Sequence, residues 1–173
     1  MGKREFPEWP LVGVGGVVID DKRALLVRRA REPALGEWTI PGGLLEVGET
    51  LTAAVERELR EETGILVRAL ELIEALERIF GDSGEMRAAS HAMVANAPND
   101  ELARTTGARP RPRYHYVILD YLCERVGGEP AINSEVSALA FVAEEELWKY
   151  ALTPEATRVL HKAFAMSRVR TKG

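Results

Sequence analysis

Three glutamates in one predicted helix are the residues of this sequence with the clearest potential for chemistry. Glu58, Glu61 and Glu62 are spaced at i, i+3 and i+4, so their side chains converge on one patch of a helix. Glu58 and Glu62 fall within the apolar stripe of that helix, not on its opposite face. Burying clustered anions is costly unless a cation or hydrogen-bond donors compensate. The spacing therefore indicates a divalent metal site, and the alternative is a solvated helix face paired to Arg57 and Arg60.

The ligand types indicate which metal and which chemistry such a site would have. Carboxylate oxygens with no nearby His or Cys favour Mg²⁺, with Mn²⁺ as a substitute, over zinc. Mg²⁺ held by a few carboxylates completes its coordination with water and substrate phosphate, so phosphate chemistry is predicted. Neighbouring carboxylates raise one another's pKa and bound metal lowers it again, which leaves open which glutamate is the general base.

A helix and the turns around it must position these glutamates. Residues 50–63 are strong helix formers, with Thr50 as a plausible N-cap and Gly64 as the residue that favours a left-handed stop. Before the helix, residues 38–43 read WTIPGG and predict a short extended piece that ends in a tight turn. The turn therefore delivers the backbone to a specific position, and Gly48 reverses the chain again before the helix.

The remaining chain predicts a mixed sheet with helices, an α/β or α+β fold. Gly13, Gly15 and Gly16 are interpreted as strand glycines at a bulge or a close backbone approach, because a dinucleotide loop would need a glycine where Val18 stands. Strands are predicted at 11–20 and 23–30 as a hairpin, and at 66–80, 113–124 and 138–142. The last strand is followed by an acidic helix start at 144–147, a final helix from 154 to about 167 and a frayed tail. Residues 81–112 are interpreted as an insertion, and its apolar patch at 88–95 as a short strand or part of a helix.

The segment 43–65 follows the pattern G-x5-E-x7-R-E-U-x-E-E-x-G-U, with U an aliphatic residue. The specified positions are Gly43, Glu49, Arg57, Glu58, Leu59, Glu61, Glu62, Gly64 and Ile65. This segment resembles the Nudix box of the Nudix hydrolases without a departure, and Trp38, Pro41 and Gly42 resemble the approach to that box. The resemblance implies one Nudix domain over residues 1–173, an α/β/α sandwich with a mixed sheet and a core at about 12–165.

The resemblance also implies roles for individual residues. Glu58, Glu61 and Glu62 are similar to the family's metal-binding glutamates, and the Gly42 carbonyl is similar to a further ligand. Arg57 would orient the glutamates, and Glu49 would tie the loop to the helix. Many members take one more glutamate from a distant loop as a metal ligand or general base; Glu135 is the candidate here and Glu129 the alternative.

The implied activity is metal-dependent hydrolysis of the diphosphate linkage in a nucleoside diphosphate joined to another moiety. The layout is most similar to ADP-ribose pyrophosphatase-like members, which form AMP and ribose 5-phosphate, although one subgroup has a proline where this chain has Gly81. The alternatives are a nucleoside triphosphate pyrophosphohydrolase that acts on oxidised nucleotides, and a non-catalytic nucleotide-binding regulator. A homodimer is a family expectation.

Composition bounds the class of protein. The chain has 173 residues, of which 46% are hydrophobic and 29% charged, as in a globular domain. Cys123 is the only cysteine, which excludes an intramolecular disulfide and suits a reducing cytoplasm. We find no signal peptide pattern and no apolar run of the roughly 18 residues that span a bilayer, so we expect no membrane partner. A net charge of −4 supplies no field that would gather nucleic acid, so we expect no nucleic-acid partner. The partner that the Nudix resemblance implies is a nucleotide-derived small-molecule substrate.

Cys123, His115 and the arginines of the insertion are further candidates for a functional role. Cys123 is expected to be buried in a strand, and His115 to be structural, with contact to a substrate base or ribose as the alternative. The arginines of the insertion would either grip phosphates or lie in a solvated loop; they are Arg104, Arg109, Arg111 and Arg113.

Overall fold

The computed structural model describes residues 5–31, 34–81, 86–90 and 112–170. Its strands are β1 (Leu11–Asp20), β2 (Arg23–Arg29), β3 (Trp38–Thr39), β4 (Gly42–Leu44), β5 (Leu66–Phe80), β6 (Met86–Ser90), β7 (Tyr114–Gly127) and β8 (Val136–Ala143). Its helices are α1 (Leu51–Thr63), a 3₁₀ helix (Glu144–Tyr150) and α2 (Pro154–Arg170). A mixed sheet combined with helices gives the α+β class that the sequence predicted.

The chain forms two compact units. The larger one comprises residues 14–74 and 119–173, and the smaller one 1–13 and 75–118. In the larger unit the strand order is β3-β2-β1-β7-β5, with β4 paired to β1 and β8 paired to β2. In the smaller unit β6 pairs antiparallel with β5, from Leu76 opposite Ser90 to Phe80 opposite Met86. The organisation as one domain over residues 1–173 stays a prediction.

The β1–β2 hairpin is confirmed, and its turn follows from two residues with left-handed backbone. Asp21 and Lys22 have φ of 45° and 60°, as a two-residue turn between strands requires. The ladder to β1 is short, pairing Ile19 with Ala24 and Asp20 with Arg23. On its other edge β2 pairs with β8 along its whole length. This pairing delivers the chain just before β8 to the end of β2.

The core of the larger unit lies where α1 packs on the sheet. The buried residues of this cluster are Val14, Val18, Leu25, Ala54, Val55, Leu59, Ile65, Val67 and Cys123. A Cβ built on Gly16 would lie 2.6 Å from the Leu59 Cδ1 atom, and one on Gly15 would lie 2.1 Å from the Asp120 Oδ1 atom. Glycine at position 16 leaves room for the Leu59 side chain of α1, and glycine at position 15 leaves room for the Asp120 side chain of β7, so at both positions it is a side chain that approaches closely.

Several element boundaries differ from the sequence prediction. The strand at 66–80 is confirmed as Leu66–Phe80, whereas the strand predicted at 113–124 continues to Gly127. The final helix runs to Arg170, so residues 168–170 are helical and the prediction of a frayed tail was wrong for them. The acidic start after β8 is a 3₁₀ helix, Glu144–Tyr150.

The predicted insertion is described only in part. The first residues of its apolar patch belong to strand β6, which removes the helical alternative for them. The rest of the patch, together with Arg104, Arg109 and Arg111, lies outside the described residues. Arg113 is described and forms an ion pair of 2.7 Å with Glu5 in the smaller unit.

His115 lies beside a carboxylate of the same unit. His115 Nε2 lies 3.1 Å from Glu77 Oε1 in the smaller unit, which agrees with a structural role. None of the helices in the described ranges combines the length and apolarity needed to cross a membrane.

The Cys123 thiol is expected to resist alkylation in the folded protein. Only 3% of the residue is exposed, and burial raises the pKa of the thiol to about 12. Iodoacetamide reacts with the thiolate, so at pH 9 the folded protein should be modified far more slowly than protein unfolded in guanidinium chloride. A raised pKa favours the protonated form in the folded state, so the free energy of unfolding should also fall as pH rises above about 9. Equal labelling rates in the folded and unfolded protein would contradict this burial.

Candidate active site

Helix α1 positions the three glutamates because both of its ends are fixed. The Thr50 hydroxyl accepts a hydrogen bond of 3.2 Å from the Ala53 N–H at the N-terminus. Gly64 ends the helix with a φ of 72°, a conformation that glycine adopts without strain, and its N–H donates to the Arg60 carbonyl. Both predicted caps are thus confirmed. The buried face of the helix fixes its rotation about its own axis and thereby the direction of the glutamate side chains.

Glu62 is the most buried of the three glutamates. Its relative exposure is 9%, and its Oε2 atom accepts a hydrogen bond of 2.9 Å from the Gly42 N–H. Burial raises the pKa of Glu62 to about 7, the Gly42 hydrogen bond lowers it, and the negative charge of Glu58 raises it further. A cation would favour the charged carboxylate that burial disfavours.

Glu58 lies directly over the Pro-Gly-Gly turn. A Cβ built on Gly43 would lie 2.3 Å from the Glu58 carboxylate carbon, so the turn approaches closely because this residue is glycine. Burial raises the pKa of Glu58, while the neighbouring guanidinium of Arg57 lowers it. The side chain of Glu61 is more exposed, at 55%, and stands at the edge of the patch.

Arg57 connects the loop and the helix. Its Nε and Nη2 atoms donate to the two carboxylate oxygens of Glu49, each at 2.9 Å, and Nη2 also donates to the Leu44 carbonyl at 3.0 Å. Its Nη1 atom donates to Glu58 Oε1 at 2.7 Å and lies 3.4 Å from Glu61 Oε2. The hydrogen bonds with Glu49 and Glu58 raise the pKa of Arg57, so its charge is permanent. These contacts are those of a residue that orients carboxylates.

Glu135 lies in the loop before β8 and interacts with the glutamates of the helix. Its negative charge contributes to the raised pKa of both Glu58 and Glu62. Its carboxylate forms an ion pair of 2.8 Å with Arg31, and its side chain is 54% exposed. The alternative candidate, Glu129, instead places its backbone carbonyl against Gly64 at the C-terminal end of α1.

The carboxylate oxygens around Glu58 and Glu62 are of the type that a divalent cation needs as ligands. In the described part of the chain, no three His, Cys, Asp or Glu side chains stand ready to hold a metal ion. Oε1 of Glu58 and Oε2 of Glu62 instead accept hydrogen bonds from Arg57 and Gly42. The donor set nevertheless fits a hard cation, because the buried Glu62 and the partly buried Glu58, both of raised pKa, share a patch with further carboxylate oxygens. Binding would require these side chains to rotate toward a common point.

Sequence reasoning missed two residues beside this patch. Arg31 pairs with Glu135, and Asn133 bonds to the backbone of Glu61, Glu62 and Glu135. Neither belongs to the pattern at 43–65. The only local signal was that Asn followed by Ser favours a turn in which the Asn side chain bonds the backbone two residues on.

Gly43→Ala should lower kcat by about a hundred-fold with little change in thermal stability. The added methyl group would meet the carboxylate of Glu58, which is the flexible end of a side chain and can turn away. The displaced carboxylate then no longer serves the site, since displacement by about 1 Å can cost this much. Gly81→Ala is the matched control, because a Cβ there meets nothing within 4 Å. Unchanged kcat in Gly43→Ala would mean that the carboxylate of Glu58 does not act in this position.

Comparisons with known proteins agree with this arrangement. A family model described as NUDIX domain matches residues 9–163. An ADP-ribose pyrophosphatase of Methanocaldococcus jannaschii is 28% identical over 146 residues, which cover 84% of this chain and 69% of that protein. A MutT-like protein of Streptomyces ambofaciens is 31% identical over 150 residues, covering 86% of this chain and 74% of the relative. The crystal structure of a MutT NUDIX hydrolase from Burkholderia pseudomallei superposes with a TM-score of 0.64 at 28% identity, covering 90% of this chain and 98% of that one.

Proposed function

The chain belongs to the NUDIX family, and from this premise we propose that it hydrolyses ADP-ribose to AMP and ribose 5-phosphate. It is a Nudix hydrolase, and such enzymes act on nucleoside diphosphate-linked substrates and generally use divalent metal cations. The observation that carries the proposal is a pair of carboxylates, the buried Glu62 and the partly buried Glu58, held against the Pro-Gly-Gly turn. ADP-ribose is favoured by the likeness to an ADP-ribose pyrophosphatase over most of the chain.

The residues that would hold the metal are those that offer oxygen atoms around this patch. They are Glu58, Glu61, Glu62 and Glu135, with the carbonyl of Gly42. Mg²⁺, or Mn²⁺ in its place, would neutralise charge on the diphosphate and lower the pKa of a bound water. We propose Mg²⁺ as the natural metal because hard oxygen donors dominate the site.

The chain's own residues have separate tasks in this mechanism. Arg57 holds Glu58 and Glu49 in place, and the Gly42 N–H holds one oxygen of Glu62. One carboxylate of the group accepts the proton that the attacking water loses. The water oxygen forms a bond to one phosphorus, the bond from that phosphorus to the bridging oxygen breaks, and the other phosphate leaves with the bridging oxygen.

A product assay tests this function. The native protein is incubated with ADP-ribose, diadenosine polyphosphates, NADH, nucleotide sugars, deoxynucleoside triphosphates and 8-oxo-dGTP, with Mg²⁺, with Mn²⁺ and with chelator. We expect AMP and ribose 5-phosphate from ADP-ribose, and no product in the presence of chelator. Release of pyrophosphate from the triphosphates would instead identify a triphosphate pyrophosphohydrolase, and nucleotide binding without any product would identify a regulator.

Two further properties are proposed with this function. We propose a homodimer, on the expectation drawn from the family, and sedimentation velocity of the native protein tests it. We also propose a cytoplasmic location, because the one cysteine needs no oxidising compartment. Neither property is needed for the chemistry described above.

A further inference from the structure

One asparagine side chain bridges the loop glutamate and the helix glutamates. Asn133 Nδ2 donates hydrogen bonds to the backbone carbonyls of Glu61, at 2.5 Å, and Glu62, at 3.3 Å. Its Oδ1 atom accepts from the N–H of Glu135, at 2.8 Å, and from that of Val136, at 3.1 Å. Both ends of one planar amide are therefore engaged, one with each half of the candidate site.

The position of these bonds along the helix explains why an amide can form them. Glu61 and Glu62 belong to the last turn of α1, where backbone carbonyls have no partner within the helix. A side-chain amide supplies the missing donor and offers an acceptor in return. The amide thereby links the backbone at Glu135 to the backbone of two residues that carry the helix carboxylates.

The other contacts of the loop do not join Glu135 to the residues that carry the helix carboxylates. The Ala30 N–H donates to the Glu135 carbonyl at 2.8 Å, which fixes this residue to the end of β2. The Ala131 N–H donates to the Thr63 carbonyl at 2.8 Å, which anchors the loop four residues before Glu135. The Arg31 ion pair holds the carboxylate itself, yet both side chains are more than half exposed. Exposed ion pairs contribute little to order, because solvent screens the charges and both side chains are flexible. Asn133 is thus the side chain that joins the backbone at Glu135 to α1, while Ala30 holds the same backbone to the end of β2.

We propose that Asn133 is a positioning residue that sets the separation between Glu135 and the glutamates of α1. The inference rests on the proposed function in so far as Glu135 acts together with those glutamates. In this role the Asn133 amide orders the loop that carries Glu135 without contacting the substrate. Asn133 lies outside the pattern at 43–65. Its competitor is a purely structural role, in which Asn133 only satisfies the helix carbonyls.

The test combines a double-mutant cycle with two readouts. Asn133→Ala is made in the native protein and in Glu135→Gln, and each protein is titrated with Mn²⁺ alone and assayed for hydrolysis. In the native background we expect Mn²⁺ affinity and kcat to fall by about tenfold, with KM unchanged. In the Glu135→Gln background the same change should have almost no further effect, because nothing remains to be positioned. Ser137→Ala, which loses a 3.2 Å hydrogen bond to the Arg28 carbonyl, is the matched control and should stay at native values.

The outcomes separate this proposal from the proposed function. An equal effect of Asn133→Ala in the native and the Glu135→Gln backgrounds would overturn the positioning role and identify a structural one. A loss of Mn²⁺ affinity that is proportional to the loss of thermal stability would do the same. Absence of measurable Mn²⁺ binding by the native protein would overturn it as well. If the native protein hydrolyses no substrate yet binds Mn²⁺, the proposed function fails while the titration cycle still decides the role of Asn133.

Discussion

Glu62→Gln should reduce turnover by about a thousand-fold while the protein remains folded. The substitution removes one negative charge and keeps an oxygen that can accept the hydrogen bond from the Gly42 N–H. The lost charge acts chiefly on the transition state, where preorganised electrostatics contribute most to the rate. The measurement is kcat for ADP-ribose hydrolysis in Mg²⁺, with circular dichroism to confirm the fold.

The same variant has an expected effect on stability in metal-free protein. Burial raises the pKa of Glu62 to about 7, from the model-compound value of 4.5. Because the folded-state pKa is raised, this carboxyl group's contribution to stability is full below pH 4.5 and is lost as pH rises toward 7. Gln does not titrate, so Glu62→Gln should gain stability relative to the native protein over this range. Urea unfolding at pH 4.5 and at pH 7.5 measures the difference.

Glu56→Gln is the matched control for both experiments. Glu56 is on the same helix, and its Oε1 atom accepts a hydrogen bond of 3.0 Å from the Ala69 N–H, a bond that Gln can retain. Its activity should therefore stay near native. Near-native turnover of Glu62→Gln would refute the assignment of the buried carboxylate to the site.

Arg57→Ala should reduce both activity and stability. The guanidinium satisfies Glu49 and Glu58, two side chains that are 16% and 14% exposed. Without Arg57 both carboxylates lose their cation in a partly buried position. The loss of this cation should lower the free energy of unfolding, and partial exposure of the two carboxylates limits the loss. We expect kcat to fall by about a hundred-fold or more as Glu58 loses its orientation.

Two variants isolate the cause of this effect. Arg57→Lys keeps the charge but cannot reach both oxygens of Glu49 and the Leu44 carbonyl at once, so only partial rescue is expected. Arg60→Ala removes an exposed arginine from the same helix and should leave kcat unchanged and stability within about 0.5 kcal/mol of native. Urea unfolding and kcat are measured together. Full activity of Arg57→Lys would show that charge alone matters and that the forked geometry does not.

The sequence by itself determined the local elements and the helix that carries the glutamates. Residues 50–64 contain the N-cap, the helix formers and the left-handed glycine, all of which act within a few residues. The apolar stripe through Val55 and Leu59 predicted which face is buried, and Glu62 is buried with it. The turn between β1 and β2 and the bounds of β5 were predicted for the same reason. Strand and helix periods are properties of neighbouring residues, so they can be read without knowledge of the fold.

Tertiary structure decided the contacts between residues far apart in the chain. The Gly42 N–H meets Glu62 across 20 residues, and Asn133 meets the backbone of Glu61 across 72. Between the two candidate loop glutamates, only the packing of the loop distinguishes Glu135, whose charge acts on Glu58 and Glu62, from Glu129, whose carbonyl lies at Gly64. The pairing of β2 with β8 could likewise not be predicted from the sequence, because strand partners depend on loop closure and on burial of the whole sheet. No local pattern encodes such distances, which arise only when the helix and both loops pack against the same strands.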